Sequence, residues 1–327
     1  MGVNIEKRKL VKQKYYRKLK LLNETIWEKK VNKNKIDGWL SNFKEEEKQE
    51  ALYLLTQFIY FNEFSVEKLL EALYRDIFKY KIIADIRRNN DNTTDAKIIE
   101  PHYRQQLKQS RFVSLGNPSE SSATLMGLMR KINSLPNDLF ISEDKIAPEL
   151  GKINNFVFID DLCGSGSQAI DYSTNSLPKI RRLFPDAKIW YLMLIATKEG
   201  KHRIQNMADF DYVDSIHELD NSYKCFNEGS RVFTNKDEDI DILKIKNFCG
   251  EYGKNLMESL LKKNDSKIDP IELEESCESW KYGFNNGQLL LGFHHNTPDN
   301  TLPIFWYNEK ESDWYPIFKR FNKVYGI

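Results

Sequence analysis

Apolar residues recur at spacings of three and four across residues 5–85. Leu52, Leu55, Phe58 and Ile59 form one such set, and Val66, Leu69, Leu70 and Leu73 form another. That period lines one face of a helix, so the whole stretch is predicted to be helical. Ser65 is a candidate N-cap, with Lys68 in place of the acid that would complete a capping box. Asn89 to Asp95 (NNDNTTD) is a polar connector.

Beyond about residue 110 the pattern changes. Gly116 to Ser122 reads as a turn that leads into a helix over Ala123–Ile132. Phe156 to Ile159 is a short apolar run of the kind found in buried strands, and Lys188 to Ala196 is a second. Residues 167–183 and 201–209 are predicted helices. Val213–Leu219 and Ser230–Phe233 are weaker strand candidates. Asp241–Leu261 is helical, Leu289–Phe293 is a late strand, and Leu302–Trp306 is another strand candidate. Strands that alternate with helices predict an α/β fold on a parallel sheet. The expected organisation is an α-helical N-terminal region or cap over residues 1–95 and an α/β domain over residues 96–327.

Composition changes this picture little. Of 327 residues, 40% are hydrophobic and 30% charged, with a formal net charge of +1, so the overall charge selects no partner. The distribution is less even. Residues 7–20 (KRKLVKQKYYRKLK) are basic, as expected of a solvated helix face, with nucleic acid or an acidic partner as the functional alternative. Cys163, Cys225, Cys249 and Cys277 are widely spaced, which argues against structural zinc and a disulfide framework. There is no signal-peptide core and no run of about 18 apolar residues. A cytoplasmic protein with no membrane contact is expected.

Candidate chemistry concentrates in one run, Phe156-Val157-Phe158-Ile159-Asp160-Asp161-Leu162-Cys163-Gly164-Ser165-Gly166-Ser167-Gln168. An apolar strand ends in two carboxylates, and a Gly/Ser loop then leads into a helix. In parallel α/β sheets, ligands bind at the carboxyl ends of strands. Glycines let the backbone turn and approach a ligand, and loop N–H groups with a helix N-terminus form an anion nest. A 5′-phosphate suits that nest. The carboxylates of Asp160 and Asp161 suit ribose hydroxyls and Mg²⁺, held directly or through water.

Other phosphate loops fit less well. A Walker loop requires a Lys that is absent here. The spacing Gly164-x-Gly166-x-x-Ala169 does satisfy a dinucleotide fingerprint, but Asp186 precedes the next strand instead of ending it. Phosphatases of the haloacid type tend to space their aspartates at i and i+2, whereas here they are adjacent. A plain strand-to-helix turn with solvated aspartates is the structural alternative.

The run resembles the phosphoribosyl-pyrophosphate loop of type I phosphoribosyltransferases. The match covers the apolar strand, Asp160-Asp161 and Ser165-Gly166; Gly164 and Gln168 stand where that family usually has Thr or a small residue, and a hydroxyl residue. Trp39–Phe43, Ala51–Tyr60, Pro118–Ser122 and Phe293–Trp306 (FHHNTPDNTLPIFW) extend the likeness to the PRTase-CE group of bacterial conflict systems. The resemblance implies a phosphoribosyltransferase-like core with an N-terminal α-helical subdomain. It implies an effector of anti-phage defence, retron-like or related, that acts at the anomeric carbon of a ribose 5-phosphate or phosphoribosyl-pyrophosphate compound with Mg²⁺. In that scheme Asp160 and Asp161 hold ribose and metal, and Cys163, Gly164, Ser165, Gly166, Ser167 and Gln168 surround the 5′-phosphate. Gln168 and the basic N-terminus motivate a second reading, a non-catalytic module that senses a nucleotide or binds a protein or RNA partner.

Several residues outside the run are weaker candidates. Ser119, Glu120 and Ser121 precede a helix and suit either pyrophosphate or simple capping. Lys198 follows the second buried strand and suits a phosphate or base contact. Asn296 suits a base or a turn around Pro298. Adjacent His294 and His295 are poorly spaced for chelation on a strand. Trp280, Tyr282, Phe284, Phe305 and Trp306 read as core.

Overall fold

The computed structural model describes residues 2–114, 120–147, 151–234, 240–309 and 312–320. Helices α1 (Gly2–Thr25), α2 (Lys33–Leu40) and α3 (Lys48–Thr56) precede a short strand, β1 (Ile59–Phe61). Then come α4 (Glu63–Ala72), a π-helical segment (Leu73–Lys79), α5 (Tyr80–Arg88) and α6 (Ala96–Lys108). The middle of the chain alternates β2 (Ser110–Ser114), α7 (Glu120–Ile132), β3 (Phe140–Ile141), β4 (Asn155–Cys163), α8 (Ser167–Asn175), α9 (Leu177–Leu183), β5 (Lys188–Thr197), α10 (Lys198–Met207) and β6 (Tyr212–Leu219). The last part contains α11 (Ile242–Asn264), α12 (Pro270–Trp280), β7 (Leu291–Phe293) and α13 (Pro303–Trp306).

These elements form two compact units. One is Met1–Glu63 together with Asp220–Phe321, and the other is built on Phe64–Leu219. The second unit carries a five-stranded sheet in the order β3-β2-β4-β5-β6, with every neighbouring pair parallel. All of β4 is buried, as is β5 between its end residues. Continuous apolar runs follow from that position, because a central parallel strand is covered on both faces. Against one face, Phe156, Phe158, Tyr191 and Met193 pack with Ala169, Leu177, Ile180 and Ile204 of α8 to α10. On the other, Phe78 of the π-helical segment lies edge-on to Phe112 and Trp190. Pairing of Cys163 with Ala196 ends β4 and β5 level with one another, so the loops after both open on one sheet edge.

In the first unit β1 pairs in parallel with β7, Ile59 opposite Leu291. Trp39 anchors its core. The indole stacks on Phe305, meets Phe43 edge-on and donates to the Ile304 carbonyl at 2.7 Å. The basic segment lies on α1, where Tyr15 and Leu19 are buried and Lys14, Arg17, Lys18 and Lys20 are exposed.

Several expectations change. Ser65 lies inside α4 instead of capping it. Residues 167–183 are two helices, broken before Leu177-Pro178, since Pro178 lacks the N–H that would continue the bonds of α8 and instead sits in the first turn of α9. Ser230–Phe233 is no strand, because the Ser230 hydroxyl accepts from the Val232 N–H and starts a 3₁₀ turn. Leu302–Trp306 is also helical, with Pro303 in the first turn where its missing N–H costs nothing. Ile59 leaves the helical period for β1. The expected boundary at residue 95 differs from the division at 63/64 and 219/220, because α4 to α6 belong with the sheet and not with the N-terminal helices. Among the described residues, no helix is long and apolar enough to cross a membrane.

Candidate functional site

Strand β4 runs past Ile159 to Cys163, so Asp160 and Asp161 lie within it, near its carboxyl end. Each is only 7% exposed. Burying two adjacent carboxylates requires donors, since an unpaired buried charge is costly. Two backbone N–H groups and one tyrosine are among them. Asp160 Oδ1 accepts from the Asp161 N–H at 2.9 Å, and Asp161 Oδ1 accepts from the Leu162 N–H at 2.8 Å. The Tyr191 hydroxyl on β5 donates to Asp160 Oδ2 at 2.9 Å. Burial, reinforced by the Asp160 charge, pushes the Tyr191 phenol well above its ordinary value, so it remains a donor at any working pH.

The loop after β4 turns at Gly166, whose φ of +77° is left-handed and makes it the N-cap of α8. A side chain there would also be blocked: a Cβ would lie 2.8 Å from the Gly200 carbonyl oxygen and 2.9 Å from Ile204. Ser165 Oγ donates to Ser167 Oγ at 3.0 Å and accepts from the Ser167 N–H at 3.4 Å. Ser165 and Ser167 are half-buried, while Gln168 is exposed on the first turn of α8. The amino end of that helix carries partial positive charge and unsatisfied N–H groups, which together suit an anion.

Cys163 belongs to the core beneath the loop. Burial, with the Asp160 charge second, pushes its thiol up to about 12, so it is not a nucleophile near neutral pH. Lys198, exposed at the start of α10, follows β5 at the same sheet edge as the β4 loop.

Ser119 lies outside the described residues, and Glu120 and Ser121 open α7 by their backbone. Asn296 belongs to the first unit. There it is buried and its side-chain carbonyl accepts from the Thr297 N–H, a turn-forming role. His294, in the same unit, has its imidazole held down to about 4 by burial, with help from His295 and Lys30.

Reasoning from sequence alone missed Tyr191, and it missed Gly200 and Arg203 on α10, the latter donating Nη1 to the Ser165 carbonyl at 2.6 Å. Tyr191 left a faint signal as a hydroxyl-bearing residue in an otherwise apolar strand. Gly200 left none, and Arg203 left none beyond the helical pattern of residues 201–209.

An oxygen-only pair of carboxylates suits a hard dication held by one or two acids, with water and substrate phosphates completing the shell. Among the described residues, no group of three or more His, Cys, Asp or Glu side chains is placed to hold a metal ion by itself.

The parallel sheet, with acids and a glycine turn at the carboxyl end of its central strand, defines a phosphoribosyltransferase-like α/β protein. The chain matches the PRTase-CE family over residues 36–320 and belongs to that family. Comparison with curated proteins finds no match.

Proposed function

We propose that this protein binds a ribose 5-phosphate or phosphoribosyl-pyrophosphate compound at the end of β4 and acts at its anomeric carbon. One observation carries the reading: the buried Asp160-Asp161 pair leads directly into a left-handed glycine turn that caps α8. The backbone and hydroxyls of Gly164 to Gln168 receive the 5′-phosphate. Asp160 and Asp161 orient the vicinal ribose hydroxyls and would hold Mg²⁺, directly or through water. When bound, that ion offsets negative charge on a departing pyrophosphate. What the chain itself contributes is position, since a fixed phosphate and fixed hydroxyls leave the anomeric carbon in one place.

The proposal extends to a cytoplasmic effector role in bacterial anti-phage defence, retron-like or related, as the likeness to proteins of conflict systems implies. Incubation with phosphoribosyl pyrophosphate, Mg²⁺ and a nucleotide-metabolite pool, read by mass spectrometry, tests the chemistry. Asp161→Asn, alone and with Asp160→Asn, is expected to abolish turnover and phage protection together. Undiminished turnover in a folded double variant rejects the reading.

A second reading has its own observation. Both oxygens of Asp160 already accept hydrogen bonds within the fold, from the Asp161 N–H and from Tyr191. That favours a nucleotide-sensing module in which the acid is structural, with a protein or RNA partner as its target. Tight binding of phosphoribosyl pyrophosphate with no product after long incubation selects it.

A further inference from the structure

Helix α10 grips the Gly/Ser loop at three points. Its N-cap, Thr197, accepts from the Gly200 N–H at 2.9 Å and donates through the same hydroxyl to the Gly164 carbonyl at 2.5 Å. Arg203, almost two turns along, donates Nη1 to the Ser165 carbonyl at 2.6 Å. Between them Gly200 lies so close to the loop that a Cβ would come within 2.0 Å of the Gly164 carbonyl oxygen.

The geometry of the peptide unit gives this grip a direction. In a trans peptide the carbonyl and the following N–H point opposite ways. Tying the Gly164 and Ser165 carbonyls to α10 therefore turns the Ser165 and Gly166 N–H groups away from that helix. These two N–H groups are the loop donors whose direction α10 sets for a ligand. Arg203 also brings a guanidinium charge to the back of the loop, where it adds positive potential without occupying the ligand's place.

We propose that Arg203 is a positioning residue for anion binding, which with Thr197 and Gly200 pins the Gly164–Ser165 backbone in its phosphate-accepting form before a ligand arrives. This rests on the loop being the 5′-phosphate site. It adds that phosphate affinity is set from α10, the helix behind the loop, as well as from the loop's own residues.

Calorimetric titration of the full-length protein with ribose 5-phosphate tests it. Loss of one charge-assisted hydrogen bond is worth about a factor of ten. Arg203→Met is therefore expected to weaken binding about tenfold, and Arg203→Lys, which retains charge and one donor, to recover a large part of that loss. Gly200→Ala, whose methyl displaces the Gly164 peptide, is expected to weaken binding more than Arg203→Met. Thermal melting establishes that each variant is folded. If Arg203→Met does not fold, Arg203→Lys carries the test: a loss of about two- to fivefold supports the clamp, and wild-type affinity overturns it. Wild-type affinity in folded Arg203→Met overturns the clamp and leaves the phosphate site standing. No binding of ribose 5-phosphate by the wild-type protein overturns both.

Discussion

Tyr191 and Asp160 are 31 residues apart in sequence and 2.9 Å apart in space. Their meeting depends on register: Phe158 pairs with Tyr191, which leaves Asp160 one pleat further on along the same face. Replacing Tyr191 with Phe keeps the ring and removes only the donor. A hydrogen bond to a charged group is worth about 1.5–3 kcal/mol, and Tyr191→Phe is expected to destabilise the protein by that amount in urea unfolding. An unchanged urea midpoint would show that the acid draws its support from elsewhere. The acids themselves were legible in the sequence, because adjacent aspartates after four apolar residues stand out in any one-dimensional reading. Their partner was not, because the register of a parallel pair is decided by packing on both faces of a sheet. The same limit hid Arg203, whose bond to Ser165 joins residues 38 positions apart.

Among the elements, the turn from β4 into α8 carries the most consequence for each atom it contains. Gly166 must be left-handed to end the strand and start the helix, and the Gly200 carbonyl and Ile204 crowd the space beside it. Gly166→Ala combines an unfavourable backbone with a clash, so a loss of roughly 1–3 kcal/mol is expected, read as a lower denaturation midpoint. Ribose 5-phosphate affinity is expected to fall with it, because the Ser165–Ser167 backbone moves with the cap. The glycine was legible, and so were β5 and the apolar first part of β4, since continuous apolar runs have few alternatives; the extension of β4 through Asp160 to Cys163 was not. Short elements were less so. Leu302–Trp306 has the composition of a strand, yet Pro303 makes it a helical turn whose indole, Trp306, donates to the Thr301 carbonyl. Strand β2 and helices α6 and α12 passed unread, because neither a strict period of two nor a clean stripe marks them.

For the whole molecule, the first unit is discontinuous in sequence, and its core is joined by pairs from distant parts of the chain. Trp39 is fully buried and donates to Ile304, 265 residues later. Trp39→Ala removes a large side chain and leaves the Ile304 carbonyl without its indole donor, so a cost of about 3–5 kcal/mol is expected in equilibrium unfolding. A cost under about 1 kcal/mol would mean that the site collapses around the gap. The boundaries of such a unit are hard to read from sequence. Composition shifts little at residues 63 or 219, and only the closing partners, Leu291 for Ile59 and Ile304 for Trp39, show that the N-terminal helices belong with the last third of the chain.

That arrangement has a consequence during synthesis. A ribosome releases Ile59 long before it has made Leu291, the residue opposite it in the parallel pair. At about 5–20 residues per second the wait is roughly ten seconds or more. Meanwhile the Phe64–Leu219 segment, which carries its own five-stranded sheet, has emerged in full and is able to fold first. The early helices, with Trp39 and Leu52 still lacking the residues that will bury them, must remain unaggregated until β7 and α13 have been made. Nascent chains of this protein should therefore depend on chaperone shelter most strongly at intermediate lengths, after the sheet is complete and before β7 appears.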